Sequence, residues 1–234
     1  MHVGIIMDRN GEWAKRRTLT RLKGHYEGVK AIRRTIEASV ELGVDVLSLF
    51  AFSTENWLRP ADEVSFLMRL VEEFIASEGK QIIENGVKVI ISGKPDRIPH
   101  NAQTAINALV QATKHNDRLI VNVALDYGGR DEIASACQKI AERVQKGEIA
   151  PIDIDEQLFS EHLFQPTLPD IDLLIRTGNV QRISNFMLWQ LAYTEFYFTD
   201  ALWPDFSKAD LQKALDDFHS RQRRFGKTSE QLDG

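Results

Sequence analysis

The sequence predicts a single α/β domain built on one roughly six-stranded, mostly parallel sheet that is flanked by helices. Short apolar segments alternate along the chain with longer segments of helical periodicity. The apolar segments are almost continuously hydrophobic, as expected for strands that are covered on both faces. Alternation of strand and helix predicts parallel pairing, with helices on both sides of the sheet.

The predicted elements follow one another without internal repeats or low-complexity segments. Strands are predicted at 2–7, 44–52, 87–91, 119–125, 171–175 and 195–198. Helices are predicted near 24–42, 61–84, 99–115, 130–147, 155–164, 185–193 and 207–222. Residues 1–226 are expected to form the domain, and 227–234 a short C-terminal tail. Ligands of such sheets bind beyond the carboxyl ends of the strands, so the loops that follow the strands are the candidate site.

The composition is that of a globular protein, with 43% hydrophobic and 27% charged residues among 234. The formal net charge of −5 argues against nucleic acid as the main partner. No apolar run reaches the ~18 residues of a membrane span, and the first strand leaves no room for a signal peptide, so a cytoplasmic location is expected. The single cysteine, Cys137, excludes an internal disulfide and is expected to be at least half buried.

Four of the predicted strands are followed by loops that carry phosphate-binding groups. These loops begin at Asp8, Phe52, Asp126 and Arg176, and they contain glycines, arginines and predicted helix starts. Glycine lets backbone N–H groups approach an anion, a helix N-terminus directs its dipole at it, and arginine forms paired hydrogen bonds to it. Because parallel strands end at the same edge of a sheet, the four loops are expected to converge on one site.

The first and last of these loops carry the leading candidates. Asp8 is predicted to bind Mg²⁺, which prefers one or two carboxylates together with water and substrate phosphate oxygens; capping of the next turn is the alternative. Arg176, Arg182 and Ser184 precede a predicted helix and are typical of a diphosphate cradle, with surface ion pairing as the alternative. His25, at the predicted start of a helix, could contact an anion at the same edge, although a lone histidine is more often structural.

Together these segments resemble the cis-prenyltransferases, and among them the bacterial undecaprenyl diphosphate synthases. The resemblance runs from His2 to Gly226. It rests on the stretches HVGIIMD (2–8), GH (24–25), AFSTENWLRP (51–60), EV (63–64), DYGGR (126–130), DLLIRT (172–177), RISNF (182–186), LWQLAY (188–193), Glu195, YFTD (197–200), LWPDF (202–206) and RRFG (223–226).

The resemblance implies a transferase that adds isopentenyl diphosphate repeatedly, in cis geometry, to an allylic diphosphate such as farnesyl diphosphate. The product would be a long polyprenyl diphosphate. The expected one is undecaprenyl diphosphate, which would serve as the lipid carrier of cell-wall (peptidoglycan) synthesis. The resemblance also implies Mg²⁺ on Asp8 and Glu195, an apolar tunnel whose floor lies at Leu119, and a homodimer in which the Arg224 segment completes the partner's site. Peripheral membrane contact for product release is a further expectation.

The resemblance assigns roles to individual residues. Asp8, His25, Ser53 and Asn56 are the expected catalytic residues, and Asn56 is expected to orient the group that accepts the proton lost in each addition. The expected substrate-binding residues are Arg9, Asn10, Gly11, Trp13, Arg21, His25, Ser53, Glu55, Asn56, Trp57, Arg59, Arg176, Arg182, Ser184 and Arg224.

Three departures from the family pattern fall near this site. Arg9 replaces a glycine, so a left-handed backbone there would be strained. Glu12 replaces an arginine, and a like-charge contact with a diphosphate at ~4 Å would cost about 4 kcal/mol at an effective dielectric near 20. Arg9 could then supply the missing cation, while Glu12 pairs with it or turns outward. Asn179 and Val180 replace a glycine and an acid beside the isopentenyl site.

These departures leave three hypotheses open. The chain is an active long-chain synthase with a rearranged first loop, an enzyme of this fold with a changed allylic substrate or a shorter product, or a low-activity or non-catalytic partner subunit. Retention of the expected metal ligands and arginines weighs against the third hypothesis, because loss of function should also have removed Asp8.

Overall fold

Six apolar segments form the sheet in the computed structural model, which describes residues 1–221. The strands are β1 (His2–Ile6), β2 (Val46–Ser53), β3 (Val87–Ser92), β4 (Leu119–Tyr127), β5 (Leu173–Arg176) and β6 (Glu195–Phe198). Their order across the sheet is β3-β4-β2-β1-β5-β6, and all neighbouring strands are parallel. The predicted α/β class and six-stranded sheet are therefore confirmed.

Helices cover the sheet on both sides. Within residues 1–221 they are α1 (Asn10–Arg16), α2 (Arg21–Glu41), α3 (Ala61–Glu84), α4 (His100–Thr113), α5 (Gly129–Gln145), α6 (Glu156–Ser160) and α7 (Lys208–Ser220), with 3₁₀ turns at Thr54–Leu58, Pro151–Asp153 and Trp203–Asp205. Every residue of β1 and of β5 is buried, which accounts for the continuous hydrophobicity of these strands. No helix in this part of the chain is long and apolar enough to cross a membrane.

The helix predicted at 185–193 is wrong, because turns occupy this segment. Ser184, Asn185 and Met187 have φ angles of 50°, 64° and 39°, which a right-handed helix cannot contain. The prediction relied on apolar spacing, and spacing alone does not report backbone handedness.

Three local expectations also need correction. Residues 10–16, expected as part of a loop, form α1. Helix α2 begins at Arg21, so His25 lies in its second turn and not at its N-terminus. Cys137 is exposed rather than half buried, because it lies on the outward face of α5.

A row of buried polar side chains crosses four neighbouring strands. His2 on β1 contacts the Pro169 carbonyl through Nδ1 and the Ser48 hydroxyl through Nε2, each at 2.7 Å. Asn122 on β4 donates to Ser48 at 3.0 Å, and Ser92 on β3 donates to Asn122 at 2.8 Å. Since a carbonyl can only accept, His2 carries its proton on Nδ1, and every donor in the row points toward Pro169.

The order of the strands positions the functional site. The chain leaves β1 toward β2 on one side, whereas β5 and β6 lie on the other side. Ligand crevices of open α/β sheets form at such a reversal, beyond the carboxyl ends of the strands. The loop at Asp8 follows β1 at this position.

Candidate active site

An open cavity of about 900 Å³ lies beyond the carboxyl ends of β1, β2 and β5. The strand ends gather most of the predicted site residues around it. Those that line the cavity are Asp8, Arg9, Asn10, Gly11, Arg21, His25, Ser53, Glu55, Asn56, Arg59, Arg176 and Ser184. Arginines and Lys15 make its lining rich in positive charge, and the acids among the lining residues are Asp8, Glu12 and Glu55. The cavity therefore suits a strongly anionic ligand.

The floor of the cavity is organised by Asp8 and Arg176. The Arg176 side chain is buried, and its guanidinium donates to the Asp8 carboxylate at 2.7 Å and to the Ser184 hydroxyl at 2.8 Å. The Arg182 carbonyl also accepts from this guanidinium, whose Nε has no hydrogen-bond partner. The backbone N–H of Arg9 donates to the other Asp8 oxygen at 2.7 Å. The floor thus joins the loop after β1 to the loop after β5.

A second carboxylate, Glu63 on α3, organises the opposite side. Its buried Oε1 lies 3.3 Å from Arg21, 3.3 Å from His25 Nε2 and 3.1 Å from Arg59. The contact with His25 lies outside hydrogen-bond geometry. Burial lowers the pKa of His25, and the nearby Glu63 charge only partly offsets this, so the imidazole is neutral near pH 7. Glu63 lies in a stretch that matches the family, but the sequence predicted no role for it.

The first loop has the strained geometry that its sequence suggested. Arg9 has φ 74° and ψ 24°, the left-handed conformation that glycine adopts without cost. Its side chain lies over Gly178, where an added Cβ would come within 2.1 Å of Arg9 Cγ. Glu12 pairs with Arg16 at 3.1 Å, and not with Arg9. Both Arg9 and Glu12 line the cavity.

The 3₁₀ turn after β2 closes another side of the cavity. Asn56 accepts from the Ser53 N–H at 3.1 Å, so its Oδ1 is occupied. Glu55 accepts from the Asn185 side chain at 3.0 Å and thereby ties this turn to the loop after β5. Burial alone would raise the pKa of Glu55, but hydrogen bonds from its own backbone and from Ser53, Asn185 and Thr54 hold it below its usual value.

Of the predicted substrate-binding side chains within residues 1–221, three do not line this cavity. Trp13 donates to Asp205 at 2.6 Å, and Trp57 donates to the buried Asp126 at 2.8 Å. Arg182 is exposed and contributes its carbonyl rather than its guanidinium. These tryptophans fix the positions of the loops, so their effect on a ligand is indirect.

Two further residues of the expected site loops, Gly129 and Val180, lie away from the cavity. Gly129 N–H donates to the Asn185 carbonyl at 2.7 Å, so the loop after β4 supports the loop after β5 and does not face the cavity. Val180 is buried and does not line the cavity.

The two expected metal ligands lie at opposite ends of the parallel strands. Glu195 begins β6 and pairs with Leu173, which is level with Val3 on β1. Asp8 lies five residues beyond Val3, about 16 Å further along at 3.3 Å per residue. The Glu195 carboxylate binds Arg221 at 2.9 Å. One chain therefore does not bring Asp8 and Glu195 together, and Arg224 lies outside the described residues.

The cavity floor nevertheless fits a magnesium ion. The Asp8 side chain is 31% exposed, and its oxygens keep free lone pairs beside Arg176. Mg²⁺ commonly takes one or two carboxylates and completes its octahedron with water and phosphate oxygens. Within residues 1–221 no cluster of three or more His, Cys, Asp or Glu side chains could hold a metal. Asp8 is thus the residue that would hold Mg²⁺ in this cavity.

An apolar cavity of about 170 Å³ continues from the polar one between α2, α3 and the sheet. Hydrophobic side chains from these elements form nearly all of its wall. Residues that line both cavities are Met7, Asn10, His25, Phe50, Ala51 and Leu67. The pair can therefore hold a molecule with an anionic head and an apolar tail. Leu119, expected at the floor, is fully buried and is not among the lining residues.

Comparison with known proteins gives consistent matches. The chain matches the family described as putative undecaprenyl diphosphate synthase over residues 6–226. An isoprenyl transferase of Bacillus subtilis is 52% identical over 225 residues, covering 96% of this chain and 86% of that protein. An isoprenyl transferase of Streptococcus thermophilus is 50% identical over 230 residues, covering 96% and 92%.

Two solved structures share the fold. Lavandulyl diphosphate synthase from Lavandula x intermedia, in complex with dimethylallyl diphosphate, has a TM-score of 0.94 and 40% identity, covering 97% of this chain and 98% of that chain. A probable undecaprenyl diphosphate synthase from Campylobacter jejuni has a TM-score of 0.79 and 34% identity, with coverage of 97% and 98%.

Proposed function

Because the chain belongs to the undecaprenyl diphosphate synthase family and is a cis-prenyltransferase, we propose that it elongates an allylic diphosphate, with farnesyl diphosphate as primer, by repeated addition of isopentenyl diphosphate. The proposed product is a long polyprenyl diphosphate such as undecaprenyl diphosphate, the lipid carrier of cell-wall synthesis. The observation that carries this proposal is the continuity of the cationic cavity with the apolar one. Such a pair matches a substrate with a diphosphate head and a growing hydrocarbon tail.

The two diphosphates would divide the cationic groups between them. The allylic diphosphate would lie against the first loop with Arg21, His25 and Arg59, next to the apolar cavity that receives its tail. The isopentenyl diphosphate would contact Arg176 and Ser184 on the floor. Placing the two substrates head to tail supplies the proximity term of catalysis.

The main contribution of the protein to this reaction would be electrostatic stabilisation of the transition state. The C–O bond of the allylic diphosphate breaks while the isopentenyl double bond forms the new C–C bond, and a proton is then lost. The products are inorganic diphosphate, a proton and an allylic diphosphate one isoprene unit longer. Cations beside the leaving diphosphate stabilise the transition state more than the ground state, because negative charge accumulates there as the bond breaks.

The proton requires no strong protein base, since it leaves a carbocation-like carbon. The amide of Asn56 would orient a phosphate oxygen or a water that accepts it; its Oδ1 is held by Ser53, which fixes the direction of its NH₂ group. Mg²⁺ bound through Asp8 would add charge neutralisation at the leaving diphosphate. An Asn56→Ala variant that retains full turnover would exclude this role for Asn56.

One assay tests the proposal. The protein is incubated with Mg²⁺, labelled isopentenyl diphosphate and allylic diphosphates of several lengths, and the products are dephosphorylated and sized. We expect a ladder that ends in long chains, most efficiently from farnesyl diphosphate. Absence of elongation from every primer would refute the proposal. Omission of Mg²⁺ with added chelator should abolish incorporation.

A shorter product is the second candidate. The fold superposes closely on a synthase that was solved with dimethylallyl diphosphate, a short allylic diphosphate. The apolar cavity of about 170 Å³ is also small for a long lipid. In the same assay, preference for the short primer and accumulation after one or two additions would favour this candidate.

We also propose a homodimer formed through β6. This strand is at the edge of the sheet, and it exposes the stacked rings of Phe196 and Phe198, whose centroids are 6.1 Å apart. An exposed apolar sheet edge commonly marks an interface. The double variant Phe196→Ser with Phe198→Ser should shift the protein to monomers in sedimentation velocity, whereas a wild-type monomer at micromolar concentration would refute the dimer.

A cytoplasmic location with peripheral membrane contact is the matching proposal for product release. Leu58 is 90% exposed beside Arg59 at the cavity mouth, and Leu22 and Tyr26 are exposed on α2 next to Arg21 and His25. Residues 15–30 carry six Lys or Arg and a single acid, which suits an anionic lipid surface.

Vesicle sedimentation tests this contact. Leu58→Ser should weaken binding to phosphatidylglycerol vesicles, and Ile152→Ser, at a site that is 91% exposed far along the chain, is the matched control. Equal binding of both variants and wild type would exclude this surface.

A further inference from the structure

The apolar cavity ends at a thin wall between α2 and α3. His25 lines the cavity near its polar mouth, and Ile36 lines it further along α2. Ile36 lies eleven positions after His25, which corresponds to about 17 Å of helix at 1.5 Å per residue. A polyprenyl chain of many units is longer than this, so the cavity must lengthen or open as the product grows.

Beyond the wall lies a second, much smaller cavity of about 20 Å³. Ile36, Phe74 and Ile82 line both cavities, the apolar one from inside and the small one from outside. A single layer of side chains from α2 and α3 therefore separates the end of the tunnel from the surface. Parting of these two helices would extend the tunnel outward at this point.

Polar contacts hold the helices together outside this wall. Arg33 on α2 lies 3.2 Å from Glu78 on α3, and 2.9 Å from Glu37 on its own helix. Gln81 on α3 donates to Glu37 at 3.4 Å. These four residues, which we call the Arg33 cluster, border the small cavity. The Glu78 side chain is only 18% exposed, whereas that of Arg33 is 46% exposed.

We propose that the Arg33–Glu78 ion pair limits the length of the product by holding α2 and α3 together over the end of the tunnel. This inference rests on the proposed elongation and adds a specificity determinant to it. A growing chain that reaches Ile36 and Phe74 must push the helices apart to accept another unit. With the ion pair in place the chain stops and is released, and without it the wall yields and further units enter.

The test is product sizing with variants that remove the charge on either side. Glu78→Gln and Arg33→Gln should each lengthen the products by one or more isoprene units, with the initial rate of incorporation unchanged because neither residue borders the polar cavity. Lys80→Gln is the matched control. It removes an ion pair of 3.7 Å with Glu84 that stays within α3, so the product should keep its wild-type length.

The double variant gives a stricter outcome. If both residues act through one ion pair, the double variant should lengthen the product no more than either single change, whereas additive lengthening would overturn the proposal. Arg33 is exposed, so Arg33→Gln provides a folded test even if Glu78→Gln unfolds, and thermal unfolding of each variant checks this.

Two failures can be told apart in the same assay. Wild-type protein that elongates, with variants that give the same chain length, would overturn the role of Arg33 and Glu78 alone. Wild-type protein that makes no elongated product would overturn the proposed function together with this inference.

Discussion

Asp8 and Glu63 stand on opposite sides of the polar cavity and organise its cations in different ways. The Asp8 side chain is 31% exposed and pairs with Arg176, whereas the Glu63 side chain is 8% exposed and has three basic neighbours. A partly exposed carboxylate with free lone pairs can accept a new ligand. A buried carboxylate surrounded by basic groups instead fixes their positions. We therefore expect a reactive side at Asp8 and a supporting side at Glu63.

The difference also affects the local charge. Asp8 and Arg176 cancel each other, while Glu63 leaves one excess positive charge among Arg21, Arg59 and the neutral His25. An anion that enters the cavity would find fixed positive charge on the Glu63 side and at Arg9 and Lys15. The four predictions that follow test this comparison, beginning with the largest expected effect.

Asp8→Asn should have the largest effect. Asparagine keeps the shape and can still accept from the Arg9 N–H, but it removes the charge that would hold Mg²⁺. We expect kcat/KM to fall by about 10²–10³, the range for loss of one transition-state stabilising group. Steady-state kinetics at saturating Mg²⁺ measures the change. A fall of less than tenfold would mean that Asp8 does not lie on the reactive side.

Glu63→Gln should have an intermediate effect, directed at one substrate. The change leaves Arg21 and Arg59 without their shared partner, and we expect the KM for the allylic diphosphate to rise by about tenfold, consistent with loss of one to two kcal/mol of positioning. The KM for isopentenyl diphosphate should change much less. Glu73→Gln, at an exposed position of the same helix, is the control. Equal changes in both KM values would contradict a supporting role confined to one side.

Acidification should weaken the fold through His25 and His2. Burial is the main cause that lowers the pKa of each, so the unfolded chain binds protons first as pH falls below 6.5. Stability is fully present above 6.5 and declines from there toward the folded-state pKa of each histidine. Urea unfolding between pH 7.5 and 5 should show a falling free energy of unfolding. NMR titration of either ring with a pKa above 6.5 would refute this prediction for that histidine.

Arg9→Gly should have the smallest effect, and it concerns the loop beside Asp8. Glycine removes the strain of the left-handed backbone, so we expect about 1 kcal/mol of added stability, measured as a higher Tm. If Arg9 serves as the cation that replaces the usual arginine at position 12, activity should fall in the same variant. A Tm that stays equal or drops would mean that packing of Arg9 on Gly178 outweighs the strain.

The sheet could be predicted from the sequence because short, continuously apolar segments are typical of buried parallel strands. The strand ends then placed Asp8, Arg176 and Ser184 at one edge without any knowledge of contacts. Segment 185–193 could not be predicted in this way. Its apolar spacing resembles a helix, but positive φ angles at Ser184 and Asn185 come from tertiary contacts with the neighbouring loops.

Glu63 was missed for a related reason. It lies inside a helix with ordinary spacing, and its importance comes from Arg21 on another helix and from His25, which approach it only in the fold. A carboxylate on the third position of α3 reads in the sequence as a favourable first-turn acid. The opposite locations of Asp8 and Glu195 also depend on strand register, which composition and spacing do not reveal.

The hydrogen bonds in the buried row from Ser92 to His2 all point the same way, so a change at one end can alter the bonds along the whole row. Each hydroxyl or amide in it donates toward β1, so the row has one consistent arrangement of protons. A proton added to His2 Nε2 would oblige the Ser48 oxygen to accept from the ring, and the Ser48 hydroxyl would then lack an acceptor unless the Asn122 amide turned over. That rotation would reverse the hydrogen bond between Asn122 and Ser92 on β3, three strand spacings or about 14 Å from β1. Protonation of His2 on β1, near the middle of the sheet, would therefore change the hydrogen bonds of the edge strand β3.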